Sequence, residues 1–395
     1  MADANKTATL MAGIPQTNAA LYRALRFSVG DPCSLITLNG EKPTSLFILR
    51  DIEMERAAKS ARADKIHCPA DFEPASGLSG DRETATAQAT AECLKQHGIQ
   101  QVVADRSLPF IFADVIRKQG IEITCDLDMG VIDRRAKDEQ EIQWLQEAQA
   151  TTEGVMEMAC RMIGGATAGA DGVLQHEGSP LTSERVRTAI DVWLLERGYT
   201  NVPSIVAQGP QGSDCHHIGF GPIKTGEPVI VDIFPQCRAT RYNGDCTRTV
   251  VHGNVSEQLQ KMHAAVVAAK KAGESTVKAG VTGEDVHKAV IEQIKAHGFD
   301  VGIPEDDAPD EYCAMVHGTG HGIGLEVHEP PLLDFKGPEL VVGDVLTIEP
   351  GLYSKAIGGI RVEDMVVTSA DGCTCLLYTS PSPRDRTRSR MPSSA

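Results

Sequence analysis

Short apolar runs and helical stripes alternate along the first third of the chain. The runs TSLFILR (44–50) and QQVVAD (100–105) have the length and side chains of buried strands. Between them, DRETATAQATAECLKQHGI (81–99) places apolar and small residues at helical spacing and stops at Gly98. LPFIFADVIRKQGIEITCDL then reads as a helix, a break at Gly120 and a strand. This alternation predicts a small α/β domain over residues 1–130.

From about Asp133 the texture changes. RRAKDEQEIQWLQEAQATTEGVMEMACRMI sets Ile142, Leu145, Ala148, Val155 and Cys160 near one face of a long helix, which GGATAGADG (164–172) ends. LTSERVRTAIDVWLLERGY predicts a helix with a Ser/Thr cap, stopping at Gly198. Residues 203–252 are strand-rich; EQLQKMHAAVVAAKKAG and TGEDVHKAVIEQIKAHG, the latter capped by Thr282, predict two further helices. Strands and glycine-rich turns return over 311–368. Helices beside strands that return from distant positions predict an α+β domain over 131–375.

The chain of 395 residues has room for two domains. No apolar run approaches a spanning helix, and the first residues lack the basic and apolar blocks of a secretory leader. A formal net charge of −16 argues against nucleic acid and anionic membrane as partners. The 11 cysteines form no CxxC pair, which points to reduced thiols in a cytoplasm. Residues 376–395 abandon the preceding pattern for Ser, Pro and Arg; CLLYTSPSPRD (375–385) resembles a translated sequencing adapter. That tail is expected to be non-native and disordered.

The candidate chemistry lies in the second domain. In HGTGHGIGLEVHEPP (317–331) three histidines thread through glycines. His317 and His321 have the spacing of a helical zinc site, but the glycines at 318, 320, 322 and 324 disfavour a helix. A strand or loop with close backbone approach is the better reading. Asp232 ends an apolar strand and Asp245 begins another after RATRYNG, so an antiparallel hairpin brings both to one rung. Each alone could be strand-end or turn chemistry. Glu349 follows the strand residues VLTI and precedes Pro-Gly, and Arg361 and Glu363 share a strand face. His216 and His217 precede Asp232. Together Asp232, Asp245, His321, Glu349 and Glu363 are four carboxylates and an imidazole, a donor set suited to two divalent cations that activate a hydroxide and polarise a carbonyl.

At VDIF…GDCTRTV, HGTGHGIGLEVHE, TIEPGLY and GIRVED, in that order, the chain resembles the pita-bread metallopeptidases: aminopeptidase P, prolidase, methionine aminopeptidase and the metal-free creatinase. Residues 130–370 carry the resemblance, with RRAKDEQEIQWLQEA as the family's first helix. It implies a pita-bread catalytic domain behind a smaller creatinase-type domain. Asp232 would hold one metal, Asp245 and Glu363 would bridge, and His321 and Glu349 would hold the second. Glu349 would be the general base; His328 and His216 would stabilise the oxyanion or position substrate. His317 would line the pocket, and Arg361 would orient Glu363 or meet a substrate carboxylate. The two-domain build resembles aminopeptidase P and prolidase, implying a homodimeric Xaa-Pro peptidase using manganese, or else cobalt, zinc or iron. A non-peptidase lyase or hydrolase on the same scaffold is the alternative. The Asp232-to-Asp245 gap is longer than the family's usual spacing, His217 competes with His216, and Cys215 and Cys246 adjoin the site.

Overall fold

The computed structural model describes residues 7–376, which separate into two compact units meeting in sequence at Arg134 and Arg135. The first unit is a mixed six-stranded sheet in the order Lys65–His67, Thr44–Ile48, Cys33–Leu38, Thr7–Gly13, Gln101–Asp105, Glu122–Asp126. Thr7–Gly13 runs antiparallel to Cys33–Leu38 and parallel to Gln101–Asp105. The helix Arg82–Gln96, capped by the Asp81 side chain on Thr84 N–H, buries Ala87, Ala91, Cys93 and Leu94 against this sheet. Two central strands, Thr7–Gly13 and Cys33–Leu38, are additions to the sequence reading. Thr7–Gly13 has its sheet partners far along the chain, whereas Cys33–Leu38 carries a local mark, Asn39-Gly40 leading into Thr44–Ile48, that would have flagged a hairpin.

Among the described residues the second unit is built on four helices and three larger sheet segments, two antiparallel and one mixed, beside two small ones. Glu139–Gly164 begins in a capping box, in which Asp138 accepts from Glu141 N–H and Glu141 accepts from Asp138 N–H. Its buried stripe, including Leu145, Ala148, Val155 and Ile163, packs with the helix Ser183–Leu195 against Ile205–Gln208, Pro228–Ile233 and Cys246–Val251. Glu257–Thr276 and Gly283–Ala296 pack on strands Ala314–Met315, Gly351–Ser354 and Gly358–Arg361. The third segment orders Glu329–Leu333, Gly320–Gly322, Val345–Ile348, Asp364–Thr368 and Cys373–Cys375.

This is the expected α+β architecture. No described helix is long and apolar enough to cross a membrane. Of the expected tail, Leu376 is described and buried, its N–H donating to Met365 O; residues 377–395 lie outside the described residues.

Candidate functional site

The site is assembled by strands whose outer faces carry the helices. Asp232 lies near the end of the fully buried strand Pro228–Ile233 and pairs in register with Thr247. Asp245 stands two residues before Thr247, so the two acids share a face but sit one step apart rather than on one rung. Gly244 lets this segment lie on the long helix: a Cβ there would meet Thr152 Oγ1 at 2.2 Å and Ala148 O at 2.8 Å. Gln149, from the same helix, accepts from Asp245 N–H at 3.0 Å.

His321 occupies the short strand Gly320–Gly322, not a helix. Its N–H donates to Thr347 Oγ1 at 3.0 Å, and its Nδ1 faces Gly322 O at 3.1 Å. A carbonyl only accepts, so Nδ1 carries hydrogen and Nε2 turns to the carboxylates. Gly320 is required here, since a Cβ would stand 2.0 Å from Thr347 O. Glu349 follows the strand Val345–Ile348; its N–H donates to Thr319 O at 2.8 Å and its Oε1 accepts from Thr347 Oγ1 at 3.1 Å. Glu363 is tied at the backbone to Thr247 O and at Oε2 to the Thr247 hydroxyl, 2.8 Å away.

These five side chains converge. Ligand atoms of Asp232, Asp245 and Glu363 all lie within 4.8 Å of one another. His321 Nε2 is 3.2 Å from Glu349 Oε1 and 4.0 Å from Asp245 Oδ2. Asp232 Oδ1 and Glu363 Oε1 are buried without a hydrogen-bond partner. A buried carboxylate oxygen without a donor is costly unless a cation receives it, so this donor set fits divalent metal.

The electrostatics agree. Burial, then the charges of Glu363, Asp232 and Glu349, push the Asp245 carboxyl well above its ordinary value. Burial with Glu349 and Asp232 drives Glu363 up to about 8. Burial also raises Asp232, against the pull of Arg361. Glu349 goes the other way: burial pushes it up, but the His321 hydrogen bond and charge outweigh that and hold it at about 2. His321, pushed down by burial, is carried up to about 9 by Glu349. A cation and a proton compete for the same atoms.

The remaining histidines divide into two kinds. His317 has both nitrogens engaged, Nδ1 with Gly318 O at 2.7 Å and Nε2 with Tyr353 Oη at 2.7 Å; burial holds it neutral. His328 stacks edge-on to His321 at 4.4 Å between centroids, and its ring nitrogens have no hydrogen-bond partner among the described residues. His216 lines the same cavity, its ring nitrogens likewise unpartnered, whereas His217 Nδ1 accepts from Gly219 N–H and its ring packs on Phe220. Arg361 donates to Asp232 Oδ2 at 2.7 Å, Tyr353 Oη at 2.9 Å and Cys215 O at 3.1 Å. Its guanidinium thus braces Asp232 directly, and its Nε donates at 3.4 Å to Thr247 Oγ1, the hydroxyl that donates to Glu363. Cys246 is buried in the helix-side core, while Cys215 lines the cavity.

The cavity measures about 320 Å³ and is walled also by Phe234, Val327, Leu332 and Asp334. Thr247, Tyr353 and Thr319 escaped the sequence reading. The two-residue period from Asp245 would have flagged Thr247; nothing local marks the other two.

The sequence profile of metallopeptidase family M24 matches residues 143–370, more than half of the chain. The chain is 32% identical over 178 residues to an Xaa-Pro dipeptidase of Pyrococcus furiosus, covering 45% of this chain and 47% of that one. It is 29% identical over 289 residues to the Xaa-Pro dipeptidase of Pyrococcus horikoshii, 71% of this chain and 74% of that one. With most such relatives the matched stretch spans about half of their length. In fold it is similar to the prolidase of Pyrococcus horikoshii OT3, with a TM-score of 0.74 at 23% identity over 95% of both chains. It is similar also to the Xaa-Pro dipeptidase from Bacillus anthracis, with a TM-score of 0.75 at 24% identity, covering 95% of this chain and 93% of that one. A buried acidic cluster suited to divalent metal, on the strands that this profile spans, is the arrangement those matches lead to: the chain belongs to metallopeptidase family M24.

Proposed function

We propose that this protein hydrolyses peptide bonds between a residue and a following proline, with Asp232, Asp245, His321, Glu349 and Glu363 holding two divalent cations. The observation that carries the reading is the convergence of four carboxylates and one imidazole on a single cavity, two of the carboxylate oxygens buried and unpartnered. The names of the relatives, Xaa-Pro dipeptidase and prolidase, supply the substrate class. Bound there, the cations supply Lewis acidity to a carbonyl and lower the pKa of water.

The protein's own groups do the rest. Asp232, Asp245, His321, Glu349 and Glu363 would hold the cations. Glu349, kept ionised by its neighbours, takes the proton of the attacking water and returns it to the leaving proline nitrogen. His328 and His216 line the cavity with ring nitrogens unpartnered among the described residues, and donate to the oxyanion or position the peptide. His317 is a wall and relay, its nitrogens locked by Gly318 and Tyr353. Arg361 orients Asp232. A cluster with four oxygen donors and one nitrogen suits manganese first, then cobalt, iron or zinc. The 11 cysteines form no disulfide among the described residues, and a cytoplasmic homodimer follows the family resemblance. The domain limits proposed are 1–130 and 131–375.

The test is metal analysis combined with a panel of Xaa-Pro dipeptides and tripeptides. Two metals per chain and proline release from manganese-loaded protein are expected. Full metal loading with no cleavage of any Xaa-Pro peptide would overturn the assignment in favour of other chemistry on the scaffold.

A further inference from the structure

The cavity has a charged wall that the hydrolytic scheme does not use. Among the described residues lining it, Asp334 is the only carboxylate outside the metal cluster. It lies just past the strand Glu329–Leu333, and its side chain is 44% exposed. Its orientation is built in. Oδ1 accepts from Phe335 N–H at 2.7 Å and lies 3.5 Å from His287 Nε2. Oδ2 lies towards Gly318, where a Cβ would stand 3.1 Å from it; a larger residue at 318 would crowd the carboxylate.

His287 does not neutralise this charge. It is buried in the helix Gly283–Ala296, with Nδ1 2.9 Å from the Thr319 hydroxyl and its ring edge-on to Phe335 at 4.8 Å. Burial holds it below the ordinary imidazole value, against the pull of Asp334. No lysine or arginine pairs with Asp334 among the described residues. Arg361, the one guanidinium among the described residues lining the cavity, is committed to Asp232, Tyr353, Cys215 and Thr247. The cavity thus offers a fixed carboxylate without a permanent counter-charge.

Resting on the proposed peptidase reading, we infer that Asp334 is a specificity-determining residue that selects substrates with a basic side chain on the residue preceding proline. The opposite charge on lysine or arginine is attracted, and that on glutamate or aspartate is repelled. At a half-exposed site each effect is modest, and their combination separates the two classes by roughly tenfold.

The experiment measures kcat/KM for Lys-Pro, Leu-Pro and Glu-Pro with the metal-loaded protein, its Asp334→Asn variant and its Asp334→Lys variant. All three peptides carry the same N-terminal ammonium, so the Lys-Pro to Glu-Pro ratio isolates the side chain. Taken within one preparation, the ratio does not depend on the folded fraction. The expected ratio is roughly tenfold in the unmodified protein, near parity in Asp334→Asn and inverted in Asp334→Lys. An unmodified protein with no Lys-Pro preference, or variants that keep it, would overturn the inference and leave the peptidase reading standing. An equal fall for all three peptides would also overturn it, placing the N-terminal ammonium on Asp334. Binding of the same dipeptides to the Glu349→Gln variant, its metal content measured beside it, with and without Asp334→Asn, separates the two readings. A Lys-Pro preference in binding that Asp334→Asn removes, beside no cleavage by unmodified protein, would uphold the inference and sink the peptidase reading.

Discussion

Glu349 is where single-residue chemistry is most exposed to test. Its carboxylate is held ionised by His321, and no second carboxylate in the cluster is held low. Glu349→Gln keeps the shape but removes both the base and an anionic metal ligand, so kcat should fall by at least about 100-fold, with metal content measured beside it to separate the two losses. Retention of near-normal kcat would assign the proton elsewhere. Glu363→Ala is expected to act earlier, on occupancy: the variant should bind fewer than two metals per chain by elemental analysis, because Glu363 supplies a buried oxygen with no other partner. At this scale the sequence was informative about residue types and poor about pairings. Arg361 and Glu363 share a strand face by spacing, yet the guanidinium reaches across to Asp232. His216 and His217 are indistinguishable in sequence; one ring enters the cavity and the other packs on Phe220.

At the scale of elements, helices were the legible part. Thr282 and Thr182 cap the helices whose starts the sequence marks, since a cap is a contact over three residues. Strands depend on partners remote in sequence, which is why Thr7–Gly13 escaped detection and Asp245 fell one step from the expected rung. The glycine-rich run at 317–324 makes sense only with its neighbours in place. Gly320→Ala would drive a methyl into Thr347 O, so the strand bearing His321 must shift. The variant is expected to lose stability by more than the about 1 kcal/mol typical of a point substitution, together with metal affinity. A thermal melt and a metal titration read both; unchanged values in each would show that the strand has slack. His287 braces the same strand region through Thr319.

For the molecule as a whole, the acidic cluster makes stability depend on pH and metal together. In metal-free protein Glu363 titrates at about 8 instead of its ordinary 4.5. The folded chain then holds a proton that the unfolded chain has released, so this stability is present below about 4.5 and is lost as pH rises through about 8. His321 acts in the same sense between 6.5 and about 9. Glu349, held at about 2, contributes in the opposite sense, and only as pH falls below 4.5. Chelated protein should therefore melt at progressively lower temperature from pH 5 to pH 8.5, each pKa unit being worth about 1.4 kcal/mol before coupling. Saturating manganese should remove the decline, because ligands bind as anions. A melting temperature of chelated protein that climbs across this interval would contradict the cluster's electrostatics.

What the sequence by itself determined is the inventory: capped helices, an α+β class, a net charge of −16 and the order of the motif residues Asp232, Asp245, His321, Glu349 and Glu363. Those are properties of local spacing and composition, readable wherever a side chain's partner lies within a few residues. Tertiary structure alone decided which oxygens stay unpartnered, which imidazoles keep a free nitrogen and which carboxylate faces the cavity without a counter-charge. The oxygens of the cluster depend on atoms more than a hundred positions apart, as Arg361 on Asp232 and Thr247 on Glu363, and only the packed sheets bring them within hydrogen-bond reach.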